Sequence, residues 1–311
     1  MAVVRTEAYF NSSDAVHKIR TLIWREETLT PIGVFQIAHG MAEHIGRYDD
    51  FARFLASNGF VVCGNDHLGH GKSVNDLSEL GFFAQTNGHI RIVDDMHILT
   101  KIMKKKYPDL PYFLFGHSMG SLCARVYTTH FGNELSGAIY CGTAEIPAVA
   151  GTLQPIVDML CEKYDPHTRI DRMGDLFNKI QSLGIKNKKS DLEWISKSIE
   201  NQKKYADDEL CGFTFTIGAY RDLFALANES SSRVWASTVP QELPVLIISG
   251  ANDPVGMNGR GILAVSDNLV LSGKEPTVIL YPGDRHEILN EEDNERVYND
   301  ILTWLNSIYI S

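Results

Sequence analysis

A G-x-S-x-G pentapeptide, Gly116-His117-Ser118-Met119-Gly120, follows directly on an apolar, aromatic run from Tyr112 to Phe115. A run of that composition reads as a buried strand. Beyond the pentapeptide, Leu122 and Val126 begin a helical pattern that fits a helix over Ser121 to Phe131. Strand, sharp turn and helix is the setting in which this pattern holds a serine up as a nucleophile. So tight a turn forces the serine backbone into an unfavourable conformation and brings strand and helix together. Both places two residues from Ser118 therefore need residues without bulk, and both are glycine.

The rest of the chain alternates in a way that suits such a turn. Ala8 to Phe10 and Ile19 to Trp24 read as an opening hairpin, and Ile32 to Ala38 as a central strand covered on both faces. Asp50 to Ser57 predicts a helix stopped by Asn58-Gly59, Phe60 to Gly64 a strand, and Ile90 to Tyr107 an amphipathic helix ended by Pro108. Leu135 to Cys141 is the next strand. The alternation then lapses: between Thr143 and Thr238 the spacing of Leu153, Ile156, Val157 and Leu160 is helical, and Leu176 to Ile199 continues as helix with lysines 186, 188 and 189 on a solvated face.

Strands return at Val245 to Ser249 and Thr277 to Tyr281, with helices over Gly256 to Leu271 and Asn294 to Ile308. This pattern predicts an α/β fold with a mostly parallel central sheet covered by helices on both faces. Residues 1–142 and 239–311 form the sheet domain, and residues 143–238 form a helical cap inserted into it.

Acidic residues outnumber basic ones, 39 to 29, for a net charge of −10. That field repels phosphate backbones, so no nucleic-acid partner is expected. No apolar run reaches the length of a membrane span. Arg5 and Glu7 interrupt the stretch where a secretory signal would be apolar. Five scattered cysteines without C-x-x-C spacing read as reduced thiols of a cytoplasmic protein. The sequons at Asn11 and Asn228 are then without meaning.

A serine hydroxyl needs a base beside it, itself oriented by an acid. In a doubly wound sheet these groups come from loops at the carboxyl ends of strands. Asp253 lies in the loop after Val245 to Ser249, and His286 in the loop after Thr277 to Tyr281. Ser118, Asp253, His286 is the chain order this architecture uses. Asn252-Asp253-Pro254 is also ordinary turn chemistry, and Asp284 is a rival acid two residues from His286. Donors for a developing oxyanion would be the backbone N–H groups of Met119 and, in the loop after Ala38, of Met41.

Three other patterns fall short. Asp66 to Ser73 ends like a phosphate-binding loop, but Asp66 stands where the first glycine belongs and no apolar helix follows. His39 and Glu43 have three residues between them, so His39 to His44 lacks the H-x-x-E-H metalloprotease spacing. His67 and His70 find no third ligand at a recognisable spacing and read as structural loop histidines. No cofactor and no metal is expected.

Five stretches together resemble the monoacylglycerol lipase and lysophospholipase branch of the α/β-hydrolases, the serine aminopeptidase S33-like enzymes. They are His39 to Tyr48 (HGMAEHIGRY), Asp66 to Ser73 (DHLGHGKS), Phe115 to Ser121 (FGHSMGS), Ser249 to Val255 (SGANDPV) and Gly283 to Glu291 (GDRHEILNE). The resemblance implies a helical lid over an acyl tunnel and a serine-esterase mechanism acting on monoacylglycerols or similar small lipid esters. It also implies that Glu43 and Arg47 sit near the leaving alcohol; an ion pair that anchors their loop is the equal alternative. His117, Phe213 and Tyr220 join them as candidate substrate contacts, with packing of cap on core as the alternative for the aromatic pair.

Rival readings are a lysophospholipase, a short-chain or aryl esterase, an aminopeptidase using Asp207, Asp208 and Glu209 as an amine site, and a non-catalytic ligand binder. Transient contact of the cap with a membrane surface stays open, as does the oligomeric state.

Overall fold

In the computed structural model, which describes residues 2–309 apart from 146, 183, 184, 186 and 187, the apolar runs lie side by side in one eight-stranded sheet. Strands β1 (Val3–Asn11) and β2 (Lys18–Glu26) form an antiparallel hairpin. Then come β3 (Gly33–Ala38), helix α1 (Asp49–Ser57), β4 (Phe60–Asn65), α2 (Gly88–Lys106), β5 (Tyr112–His117), α3 (Met119–Phe131) and β6 (Gly137–Cys141). Five helices follow without a strand among the described residues: α4 (Pro147–Lys163), α5 (Asp171–Gln181), α6 (Ile199–Asp207), α7 (Ile217–Glu229) and α8 (Ser232–Thr238). The chain closes with β7 (Val245–Gly250), α9 (Arg260–Val270), β8 (Thr277–Tyr281) and α10 (Asn294–Tyr309).

The strand order is β1-β2-β4-β3-β5-β6-β7-β8. Pairings from β4/β3 through β7/β8 are parallel, and only those of β1/β2 and β2/β4 are antiparallel. Successive strand residues feed opposite faces, as the pleat requires. Ala138, Tyr140, Val245 and Ile247 enter one core with α2, α3 and α9, while Ile139, Cys141, Leu246 and Ile248 enter the other with α1 and α10. Two-sided burial explains why these strands read as unbroken apolar runs.

From β3 the chain goes first to β4 on one side and later to β5 on the other. The crevice outside the carboxyl ends of β3 and β5 is therefore the switch point, where ligands bind in such sheets.

Two expectations need correcting. Helix α9 starts at Arg260, because Met257, Asn258 and Gly259 all take positive φ and form a turn. The helix foreseen over Leu176 to Ile199 stops at Gln181, and turns or irregular chain occupy 190–198. There the carbonyls of Trp194 and Ile195 accept hydrogen bonds from the distant backbone N–H groups of His286 and Glu287. A helix would have spent those carbonyls on its own next turn. Of the lysine cluster, Lys188 and Lys189 are exposed and Lys186 lies outside the described residues.

Candidate active site

The turn at Ser118 is as tight as its glycines imply. Ser118 has φ 54° and ψ −121°, in a region that residues with side chains rarely adopt. Its N–H donates to the Cys141 carbonyl at 2.9 Å, holding the turn against β6. A Cβ on Gly116 would stand 2.2 Å from the Gly120 carbonyl oxygen, and one on Gly120 would stand 2.2 Å from that of Ala38. No side chain fits at either place.

Asp253 follows β7 and is fully buried. Its Oδ1 accepts from the Val255 N–H at 2.9 Å, and its Oδ2 lies 2.8 Å from Nδ1 of His286. Because the carboxylate only accepts, Nδ1 carries the proton and Nε2 is left with a lone pair able to accept one. That Nε2 is buried with no hydrogen-bond partner among the described residues. Burial disfavours the charged imidazole, but the charge and hydrogen bond of Asp253 outweigh it and raise His286 above its ordinary value.

Ser118, His117 and His286 line one cavity of about 120 Å³. His117 packs against His286 with ring centres 4.8 Å apart and the rings tilted by 49°. Burial, and then the neighbouring His286, lower His117 to about 3, so it stays neutral. The rival acid Asp284 is spent elsewhere, on Lys197 at 2.9 Å and Arg296 at 2.6 Å.

The loop after β3 passes over the serine. A Cβ on Gly40 would sit 3.2 Å from Cβ of Ser118. Met41 lines the cavity, and Met119 opens α3 beside the serine. Neither backbone N–H is hydrogen-bonded to another described residue. Ala42 takes positive φ, with its carbonyl held by the Tyr205 hydroxyl at 3.1 Å and the Gly212 N–H at 2.9 Å.

Glu43 and Arg47 meet each other and a set of buried partners. Glu43 Oε1 accepts from the Gly40 N–H at 2.5 Å and the Tyr48 hydroxyl at 2.8 Å. Arg47 reaches Glu43 at 2.8 Å, both oxygens of Glu287 at 2.6 and 2.8 Å, and Asn201 at 3.0 Å. Burial raises the Glu43 carboxyl above its ordinary range, with Arg47 pulling it down and Glu287 pushing it up. Burial would raise Glu287 as well, but Arg47 holds it at about 2. Glu43 lines the cavity with Ser118, whereas Arg47 faces a separate acidic groove. The pair is buried and joins the loop after β3 to Glu287 and α6.

Phe213 and Tyr220 both line the serine's cavity. Asp207, Asp208 and Glu209 line the groove with Arg47 instead, so they form no amine site beside Ser118. His67 and His70 pack with His39 at 5.1 Å or less and are lowered by burial to about 3 and about 4, which suits structural histidines.

Among the described residues, one group has the ligand types for a metal: His44, Asp208 and Cys211, whose atoms lie within 4.8 Å of one another. Yet His44 Nδ1 accepts from the Gly46 N–H at 3.1 Å, so its proton sits on Nε2 and is donated to Asp208 at 2.9 Å. A cation at Nε2 would have to displace that proton, and these residues do not fit a metal centre.

Reading the sequence missed Glu287, Asn201, Trp194 and Tyr205. Glu287 alone carried a signal, being adjacent to His286. The others meet residues more than 80 positions away.

Comparison with known proteins places the chain among relatives of one family and fold. The family model for serine aminopeptidase, S33, matches residues 30–293. A monoacylglycerol lipase of Mycolicibacterium smegmatis is 27% identical over 293 residues, covering 91% of both chains. The monoglyceride lipase of Rattus norvegicus is 27% identical over 286 residues, 89% of this chain and 83% of that one. Among solved structures, a thermostable carboxyl esterase from Bacillus coagulans in complex with glycerol superposes with a TM-score of 0.92. It is 33% identical and covers 99% of this chain and 100% of its own.

Proposed function

This chain belongs to the monoacylglycerol lipase-like α/β-hydrolases of the serine aminopeptidase S33 family, and on that premise we propose that it is a serine esterase cleaving monoacylglycerols or similar small lipid esters through an acyl-enzyme. That it is a hydrolase of the lipase and esterase class follows from the family. The observation that carries the finer reading is the buried, unpartnered Nε2 of His286, in the cavity that Ser118 also lines, with Asp253 fixing the opposite nitrogen.

Ser118 Oγ attacks the ester carbonyl while Nε2 of His286 takes its proton, and Asp253 stabilises the imidazolium so formed. The carbonyl oxygen becomes an oxyanion held by the N–H groups of Met41 and Met119. When the tetrahedral intermediate collapses, the C–O bond to the alcohol breaks and the alcohol leaves with the proton from His286. Water, deprotonated by His286, then attacks the acyl-enzyme, and Ser118 recovers its proton as the acid departs.

Residues 143–238 act as the cap over this site. Phe213 and Tyr220 form an apolar wall for the acyl group, and the shared cavity supports that assignment. Helix α4 exposes Ile156 and Met159, apolar side chains that suit brief contact with a lipid surface. No helix among the described residues is long and apolar enough to cross a membrane. The five free cysteines suit the reducing cytoplasm.

A short-chain carboxyl esterase is the second reading. The cavity of about 120 Å³ favours it, being smaller than the roughly 300 Å³ at which sites for larger ligands begin.

The test is labelling by a fluorophosphonate followed by mapping of the modified residue, together with a panel of esters. Modification of Ser118 with hydrolysis of a monoacylglycerol is the expected result. Labelling together with turnover of short acyl chains only would select the second reading. Failure to label Ser118 would reject both.

A further inference from the structure

His286 and Glu287 are consecutive, and the helical insertion grips both. Their backbone N–H groups donate to the carbonyls of Trp194 at 3.4 Å and Ile195 at 2.8 Å. The Glu287 side chain is buried, and both of its oxygens are engaged. Arg47 reaches each of them, and Oε2 also accepts from Asn201 of α6 at 2.7 Å and Asn290 at 3.2 Å. From Arg47 the chain of contacts continues to Glu43 and ends on the Gly40 N–H, in the loop that carries Met41. Three side chains, Glu287, Arg47 and Glu43, thus link the position beside the base to the loop that passes over the nucleophile.

We infer that Glu287 is a positioning residue, which fixes the His286 loop and the Gly40–Met41 loop relative to each other and fastens both to α6. The inference rests on the serine-esterase reading, since it acts through His286 and Met41. A buried carboxylate bonded to four donors costs heavily to desolvate, and stability alone is a weak reason to keep one. Its worth here is geometric: a reacting group misplaced by about 1 Å loses on the order of 10²-fold in rate. Glu291 repeats the grip one turn on, accepting from Ser196 at 2.8 Å and from the Lys197 and Arg285 N–H groups at 3.1 and 3.0 Å.

The test compares wild type, Glu287→Gln and Asn201→Ala for kcat, KM and the pH dependence of kcat/KM on one ester, well below the melting temperature of each. The groups facing the His286 imidazole are Asp253 from the loop after β7, His117 from β5, Trp194 from the insertion, and the charged set Glu43, Arg47 and Glu287. Glu287→Gln should lower kcat about 10- to 100-fold, leave KM within about threefold, and move the acidic limb to lower pH because one negative charge near His286 is gone. Asn201→Ala keeps that charge, so kcat should fall several-fold with the limb in place.

Wild-type kcat in both variants would overturn the inference, as would a loss that follows melting temperature alone. If Glu287→Gln does not fold, Asn201→Ala decides by itself. Fluorophosphonate labelling of the wild type keeps the two levels apart: an unlabelled Ser118 rejects the serine-esterase reading, whereas normal labelling with wild-type kcat in the variants rejects only the role of Glu287.

Discussion

Oδ2 of Asp253 lies 2.8 Å from Nδ1 of His286, and both side chains are buried. The pair sets how activity depends on pH. Asp253 raises His286 above its ordinary value, and a protonated imidazole cannot act as base. Ester hydrolysis should therefore fall as pH drops through a point above about 6.5. Asp253→Asn should move that limb down and cut kcat on the order of 10⁴. A kcat/KM profile from pH 5 to 10 on both proteins reads the two effects.

Ser118→Ala should lower turnover on the order of 10⁵–10⁶ while the protein stays folded. The serine hydroxyl makes no hydrogen bond to another described residue, so little stability goes with it. Circular dichroism and ester turnover on the same preparation check this. A variant keeping a tenth of the activity would remove Ser118 from the mechanism.

Gly120→Ala should destabilise strongly. The added methyl would stand 2.2 Å from the Ala38 carbonyl oxygen and 2.4 Å from that of His39. Backbone on both sides leaves no flexible neighbour to give way. Overpacking typically costs about 1–3 kcal/mol, and this site should reach or pass the upper end. Denaturant unfolding of the variant measures it, and an unchanged midpoint would contradict the geometry.

His89 ties the start of α2 to the insertion, 3.2 Å from Asp222 and 3.1 Å from Glu229, both in α7. Burial alone would lower it, but the two carboxylates raise it to about 9. A raised value in the folded state means that this stabilisation is complete below about 6.5 and is lost as pH climbs towards 9. His89→Gln should therefore lower the melting temperature more at pH 6 than at pH 10. Equal losses at both values would show the contact to be packing alone.

How much could be read from residues alone depended on whether the partner was near in sequence. The strands around Leu114 and Ile247 were legible because burial on both faces leaves a continuous apolar run. The meeting of Asp253 with His286 was legible because each follows a parallel strand, and such strands deliver their loops to one edge. Asp253 could be preferred to Asp284 on the same ground, since Asp284 lies two residues from His286 and on no other strand; what the sequence did not show is that Lys197 and Arg296 claim Asp284. For Glu43 and Arg47 the sequence could not show their further buried partner, since Glu287 is 240 positions from Arg47. Residues 190–198 were misread because helical spacing says nothing about a distant loop that competes for the same carbonyls.

Strand β6 ends at Cys141 and its neighbour β7 begins only at Val245. During synthesis, the strands up to β6 and the strained serine turn can assemble before the ribosome has made Asp253 or His286. For that interval the nascent chain holds an unarmed hydroxyl and a bare sheet border. The late arrival of β7 covers that border and supplies the acid, and β8 then covers β7 and brings the base, so reactivity waits until the sheet is complete.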